Sequence, residues 1–141
     1  MLAFWDASAL VSLCVRDQSS LRAKNLWRDA GAVMWWATAV EGRGALVRLQ
    51  REGALSDSAF RASCECFSTL LASSKEILPS ANVREIAFRQ LERFPLRAAD
   101  ALQLAAALVW CVERPRGRWF VCADRRLAAA AIEAGFEVHS V

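Results

Sequence analysis

Three short, continuous apolar runs constrain the fold of this chain more than any other feature of its sequence. They cover residues 2–5, 33–36 and 119–122. Runs of this length without polar alternation are typical of strands that are buried on both faces, as in parallel sheets. Because parallel strands need long crossover connections, we expect helices in the segments between the runs.

Apolar residues at helical spacing do fill those segments. They form three groups, namely Ala23, Leu26, Trp27 and Ala30, then Phe60, Cys64, Phe67 and Leu71, then Val83, Ile86, Ala87, Leu91 and Phe94. Residues 76–78 and 136–141 are expected to form two further short strands. The alternation predicts an α/β fold with a central parallel sheet flanked by helices, an α/β/α sandwich. With 141 residues and no Pro-, Gly- or Ser-rich linker, the chain is expected to form one domain covering residues 1–141.

Composition narrows the function classes. No run of about 18 apolar residues is present to cross a membrane, and Asp6 interrupts the apolar N-terminal stretch that would otherwise resemble a signal sequence. We therefore expect a cytoplasmic protein, with its five cysteines present as reduced thiols. The net charge of +3 permits nucleic-acid binding without arguing for it. Because His139 is the only histidine, we expect no central histidine base.

Isolated acidic residues follow the apolar runs. Asp6 comes directly after the first run, Asp124 comes after the run 119–122, and Glu41 lies three residues beyond Thr38. Each is expected at the start of a helix. In an open parallel sheet these positions share the carboxyl edge, where ligands bind.

Asp100 is the fourth such acid, and it lies in an otherwise apolar predicted helix, residues 98–112, whose other polar side chain is Gln103. The two side chains are close on the helical wheel, so they are expected to face one polar pocket. An unpaired carboxylate among apolar groups is costly.

Each acid also has a purely structural explanation. Asp6 and Asp124 are good N-caps, Thr38 with Glu41 matches a capping box, and Asp100 suits the positive end of a helix dipole. These explanations do not require the four carboxylates to gather at one edge. Gathered carboxylates repel one another and need a cation or raised pKa values, and oxygen-only ligation favours Mg²⁺ or Mn²⁺ over zinc.

The order of these segments resembles the PIN-domain ribonucleases, most closely the VapC-like toxins of bacterial toxin–antitoxin pairs. The segments that carry the resemblance are 6–10, 38–46, 96–105 and 120–127, of which 96–105 is the most specific. The resemblance implies that Asp6, Glu41, Asp100 and Asp124 are the catalytic residues and hold one or two Mg²⁺ or Mn²⁺ ions. Ser8, Thr38 and Gln103 would support the site. The family often has His at the position of Gln103, and Thr or Ser at that of Cys122.

These features lead to the hypothesis of a metal-dependent endoribonuclease that hydrolyses RNA phosphodiester bonds, with the metal activating water. Arginines near the acids in the sequence are candidates for contacts with RNA phosphates. These candidates are Arg43, Arg48, Arg97, Arg125 and Arg126. The resemblance further implies a homodimer and a small antitoxin partner, and it leaves the RNA target open.

The alternative hypothesis is a catalytically weak PIN-like scaffold that acts mainly as a protein-binding module. Other enzyme classes with an acid after the first strand fit less well. A haloacid dehalogenase phosphatase needs a second Asp where this chain has Ser8, and dinucleotide binding needs a Gly-rich turn after the first strand. A receiver-like domain needs a lysine near the acids, for which the chain offers no clear candidate.

Overall fold

A computed structural model describes residues 1–16 and 20–141 of the chain. The strands are β1 (Leu2–Trp5), β2 (Gly31–Trp35), β3 (Lys75–Ile77), β4 (Trp119–Cys122) and β5 (Glu137–Ser140). The helices are α1 (Ala7–Cys14), α2 (Ser20–Asp29), α3 (Thr38–Arg51), α4 (Asp57–Ala72), α5 (Ala81–Arg93), α6 (Ala98–Trp110) and α7 (Arg125–Ala134).

The five strands form one parallel sheet in the order β3-β2-β1-β4-β5. The central strand β1 pairs with β2 on one side and β4 on the other, and Phe4 is in register with both Val33 and Phe120. The carboxyl ends of these three strands therefore lie side by side. This arrangement confirms the predicted parallel α/β sheet.

Two hydrophobic layers cover the two faces of the sheet. On one face, Phe4 and Phe120 pack with apolar side chains of α5, α6 and α7, including Ile86, Leu104 and Leu127. On the other face, Ala3, Trp5 and Val121 pack with apolar side chains of α1 to α4, including Leu10, Leu46 and Phe67. Because successive residues of a strand point to opposite faces, a four-residue apolar run fills both layers. The predicted α/β/α sandwich is confirmed.

Element bounds differ from the sequence prediction at several ends. β2 ends at Trp35, whereas the apolar run continues to Trp36, whose side chain is 50% exposed beyond the sheet. α6 ends at Trp110 rather than at residue 112, since Val112 and Glu113 both adopt a φ of 54°, which is not helical. Apolar content identified the strands and helices, but it does not show at which residue the backbone leaves the strand or helix conformation.

Two other predictions concern the chain as a whole. No helix in the described parts of the chain is long and apolar enough to cross a membrane. All five cysteines are free thiols, as predicted, and three of them are buried in the core.

Candidate active site

The four predicted acids line one cavity of about 280 Å³ at the carboxyl edge of the sheet, which we call the acidic cavity. Asp6 follows β1, Glu41 lies in the first turn of α3, Asp100 lies in the first turn of α6, and Asp124 precedes α7. Four separate elements therefore place a carboxylate at the wall of one cavity, at the predicted edge of the sheet, and the role of these residues as metal ligands stays a prediction. The remaining wall residues are Ala7, Ser8, Ala45, Arg48 and Ala99.

Asp6 is the most buried of the four acids, with 4% of its surface exposed. It is the N-cap of α1, and its Oδ1 accepts a hydrogen bond from the Ala9 amide at 3.0 Å. The Ser8 hydroxyl lies 2.8 Å from each carboxylate oxygen and donates to the carboxylate. Burial raises the pKa of Asp6 to about 7, against these hydrogen bonds, and the nearby charge of Glu41 raises it further.

Ser8 also ties the Asp6 carboxylate to the turn that presents Asp124. Its Oγ accepts a hydrogen bond from the Ala123 amide at 2.9 Å. Asp124 itself is the N-cap of α7, and its Oδ1 accepts from the Leu127 amide at 2.8 Å. Both aspartates are therefore helix caps, as predicted, and at the same time wall residues of the cavity.

Cys122 contacts the same turn through its thiol. The family that the sequence resembles often has a hydroxyl side chain at this position. The Sγ of Cys122 donates to the backbone carbonyl of Asp124 at 3.5 Å. Burial raises the pKa of the Cys122 thiol, and the charges of Asp6 and Asp124 raise it further. The thiol therefore stays neutral, and it bonds to the backbone of Asp124 rather than to the carboxylate.

The predicted capping box of Thr38 and Glu41 is wrong. The N-cap of α3 is Ala37, which makes no side-chain capping bond, and Thr38 is the first residue of the helix. The Thr38 hydroxyl instead accepts a hydrogen bond at 2.9 Å from Nε2 of Gln103, a residue of α6. A packing contact with a distant helix has replaced the local motif.

Gln103 also donates to Oε2 of Glu41, at 3.2 Å. Burial raises the pKa of Glu41, the bond from Gln103 lowers it, and the charge of Asp100 raises it. Gln103 and Glu41 thus belong to one polar cluster. The sequence predicted a pocket shared by Gln103 and Asp100, but Asp100 lines the cavity and Gln103 does not; Gln103 contacts the site through Glu41 instead.

Asp100 experiences opposing charges from its surroundings. Burial raises its pKa, and the Asp124 carboxylate raises it further, whereas Arg97 and Arg126 lower it. Asp6, Glu41 and Asp100 each have a pKa raised in part by a neighbouring acid. Such mutual repulsion is the electrostatic condition under which a cation binds favourably.

In the described residues, no three His, Cys, Asp or Glu side chains are close enough to form a ready-made metal-ligand cluster. The carboxylates surround the cavity instead of meeting at one point. A small hard cation such as Mg²⁺ keeps several of its waters and binds through one or two carboxylates, so it does not require a closed cage. The oxygen-only donor set and the size of the cavity fit a hydrated ion of this kind.

Three of the five predicted RNA-contacting arginines lie beside the acids. Arg48, Arg97 and Arg126 line an adjoining cavity of about 520 Å³ together with Asp100 and Asp124. Within residues 1–16 and 20–141, none of the three forms an ion pair with an acid. Their guanidinium groups are therefore available to an anionic ligand.

The other two arginines, Arg43 and Arg125, are exposed and line neither of these two cavities. Sequence reasoning did not single out Ala45 and Ala99 as wall residues. Their small side chains leave space beside the acids. The helical spacing of four residues between Glu41 and Ala45 is the signal that would have identified the first of them.

A parallel α/β sandwich with a carboxylate-lined cavity at its carboxyl edge and free arginines beside it is the arrangement of a PIN-type nuclease domain. No family model matches the chain. It is, however, 32% identical over 138 residues to Ribonuclease VapC45 of Mycobacterium tuberculosis, an alignment that covers 97% of this chain and 94% of that protein. The chain therefore belongs to the VapC ribonuclease family.

Solved structures agree with this fold. VapC20 of Mycobacterium tuberculosis, described as a toxin that cleaves the sarcin–ricin loop, matches with a TM-score of 0.66 and 19% identity over 92% of this chain and 95% of that one. VapBC2 of Rickettsia felis, bound to a promoter DNA fragment, matches with a TM-score of 0.67 and 10% identity over 99% and 100% of the two chains. At these identities the likeness concerns the fold alone.

Proposed function

We propose that the chain is a metal-dependent endoribonuclease and the toxin of a VapBC-type toxin–antitoxin pair. The observation that carries this proposal is the convergence of Asp6, Glu41, Asp100 and Asp124 on one cavity, each from a different element. Family membership supports the ribonuclease activity. The cavity supports the four acids as the location of that activity.

The four acids are the residues that would hold one or two Mg²⁺ or Mn²⁺ ions. A bound ion of this kind lowers the pKa of water and stabilises negative charge on a phosphate. The protein contributes the rest of the site. Ser8 holds the Asp6 carboxylate, and Arg48, Arg97 and Arg126 bind the phosphates that flank the cleaved bond.

Several partners follow from this proposal. A small antitoxin protein is supported by the toxin–antitoxin complexes among the structures of the same fold. We propose the cytoplasm as the location of the enzyme, because its proposed substrate is RNA. The described core spans the chain from β1 to β5, which supports a single domain of residues 1–141.

We further propose a homodimer. An apolar cavity of about 620 Å³ lies between β2, α5 and α6, away from the four acids, and it is bordered by Val83, Phe88, Leu91 and Leu102. Phe88 is 51% exposed. An apolar cavity with an exposed aromatic side chain at its rim is a candidate contact surface for a second copy of the chain, and none of the four acids lines it.

Cleavage assays with isosteric amide variants test the nuclease proposal. We expect Asp100→Asn and Asp6→Asn to lose at least roughly 100-fold in RNA cleavage, since each removes a carboxylate from the cavity. Asn is as good an N-cap as Asp, so the fold of Asp6→Asn is retained. Chelation of divalent ions should abolish cleavage by the wild type, and added Mg²⁺ or Mn²⁺ should restore it.

The matched control is Glu65→Gln, which changes an exposed acid of α4 outside the cavity. All variants must be prepared identically, so that a contaminating ribonuclease appears equally in each. Equal cleavage by wild type, Asp100→Asn and Glu65→Gln would contradict the proposal. A folded wild type that binds protein but has no metal-dependent cleavage would support the protein-binding module instead.

A further inference from the structure

Gln103 is an amide that the core of the protein encloses almost completely. It lies in α6 with 1% of its surface exposed, among Ala101, Leu104 and Ala106, which are fully buried. Burial of an amide is unfavourable unless its groups are hydrogen-bonded. A buried amide at this position is therefore destabilising unless its polar atoms are bonded, and the hydrogen bonds of Gln103 indicate what the amide does.

The amide nitrogen makes both of the hydrogen bonds of this side chain. Nε2 donates to Thr38 Oγ1 at 2.9 Å and to Glu41 Oε2 at 3.2 Å. The two acceptors belong to the first turn of α3, and Thr38 is completely buried. One NH₂ group therefore connects α6 to the helix turn that carries a candidate metal ligand.

The carbonyl oxygen of the same amide has no partner. Gln103 Oε1 is buried and accepts no hydrogen bond from the described residues. A side chain kept only to stabilise the contact between α6 and α3 would gain nothing from this atom, because an unsatisfied buried carbonyl is destabilising. The bonds made by Nε2 must therefore explain why an amide is present.

The bond to Glu41 selects one arrangement of its carboxylate. Glu41 has a long side chain, and the charge of Asp100 acts on it. Without a restraint, repulsion favours rotation of the carboxylate away from the cavity. Donation to Oε2 opposes this rotation, favours the ionised carboxylate, and leaves Oε1 without a donor in the described part of the chain.

We infer that Gln103 is a positioning residue, which binds Oε2 of Glu41 and thereby holds the carboxylate in place for its other oxygen to bind the metal ion. The inference rests on the nuclease function proposed above. It assigns to Gln103 a role toward the ion that is distinct from packing. Thr38 anchors the amide, so that Nε2 cannot follow Glu41 out of the cavity.

Titration calorimetry with Mn²⁺ on the full chain tests the inference, with Gln103→Met as the variant. Met fills a similar volume and removes both the donor and the unsatisfied carbonyl. We expect the dissociation constant for Mn²⁺ to rise about 10- to 100-fold, as is usual when an outer-shell partner of a ligand is lost. The melting temperature should change little, because removal of the unsatisfied carbonyl offsets the loss of the bond to Thr38, and RNA cleavage should recover in part at saturating Mn²⁺.

Gln90→Met is the matched control. Gln90 is also a buried glutamine with an unpartnered carbonyl oxygen, but it lies in α5, outside the acidic cavity. We expect it to bind Mn²⁺ as the wild type does. Wild-type affinity in folded Gln103→Met would overturn the inference, as would an equal loss of affinity in both variants.

A measurement on the wild type covers the case in which Gln103→Met does not fold. In NMR spectra of the ¹⁵N-labelled protein, saturating Mg²⁺ should shift the side-chain amide signals of Gln103 and leave those of Gln90 in place. Binding of Mg²⁺ without a shift at Gln103 would overturn the inference alone. Complete absence of Mg²⁺ and Mn²⁺ binding would overturn both the inference and the proposed function.

Discussion

At the scale of single residues, Asp6 combines a local role with a tertiary one. As the N-cap of α1 it provides a side-chain oxygen to the Ala9 amide, which a neutral residue could also do. As a wall residue of the acidic cavity it places a carboxylate where burial and Glu41 both disfavour the charge. The N-cap alone does not require a charged side chain, so the presence of a carboxylate at this buried position indicates a cationic ligand.

This conflict predicts a pH-dependent stability for the metal-free protein. The pKa of Asp6 is raised from 3.8 to about 7, so the folded chain holds this proton more tightly than the unfolded chain does. An acid of this kind supports folding below its unfolded pKa, and the support is lost as the pH rises through the folded pKa. The free energy of unfolding should therefore fall between about pH 4 and pH 7, by up to roughly 4 kcal/mol from Asp6.

Thermal unfolding in the presence of a chelator measures this effect, with a lower melting temperature expected at pH 8 than at pH 5. Asp6→Asn keeps the cap and removes the titrating group, so its melting temperature should depend less on pH. Glu41 and Asp100 have pKa values raised in the same direction and account for the remaining slope. An equal slope in wild type and Asp6→Asn would contradict the assignment of the effect to Asp6.

At the scale of elements, the position of α3 determines where Glu41 points. Gly42, the next residue, is buried against α4, and a Cβ atom added there would lie 2.0 Å from Cζ of Phe67. The contact between α3 and α4 is therefore too close for any side chain at residue 42. Gly44 lies in the same helix, and an added Cβ would meet no atom within 4 Å.

The two glycines give a matched pair of substitutions. Gly42→Ala should destabilise the protein by about 1–3 kcal/mol, because the overpacked methyl group forces α3 away from Phe67. Gly44→Ala should stabilise it by roughly 0.5–1 kcal/mol, since alanine is the better helix former and has open space. Denaturant unfolding curves measure both changes. Equal effects of the two substitutions would show that the contact with Phe67 does not restrain α3.

At the scale of the whole molecule, the topology places the acidic cavity and the apolar cavity on different sides of the start of α6. The acidic cavity includes Ala99 and Asp100, whereas the apolar cavity includes Ala98 and Leu102. The two cavities share no wall residue, so the apolar cavity can be occupied independently of the acidic one. This separation is what a dimer with two working sites requires.

Replacement of the exposed aromatic residue tests the proposed dimer. Phe88→Asp should weaken self-association at least about 10-fold, because a charge buried in an apolar interface is strongly unfavourable. Sedimentation velocity over a range of concentrations measures the shift from dimer to monomer. Arg61→Asp, an exposed substitution in α4 outside the apolar cavity, is the control. A monomeric wild type, or a Phe88→Asp dimer as stable as the wild type, would contradict this proposal.

The sequence by itself determined the strands, their parallel arrangement and the edge at which the acids lie. Apolar runs buried on both faces and helical spacing are local patterns, and they identify elements before any contact is known. The position of an acid directly after a strand is local too, as are the caps made by Asp6 and Asp124. These features were therefore predictable from neighbouring residues.

Only the tertiary structure decided how the site is completed. The bond from Gln103 to Glu41 joins residues 62 positions apart, and it replaced the local capping box that the sequence suggested for Thr38. Packing likewise brought Arg48, Arg97 and Arg126 to the acids and left Arg43 and Arg125 outside. Such contacts depend on the relative placement of helices, which is determined by side-chain packing across the whole core and not by the spacing of residues along one segment.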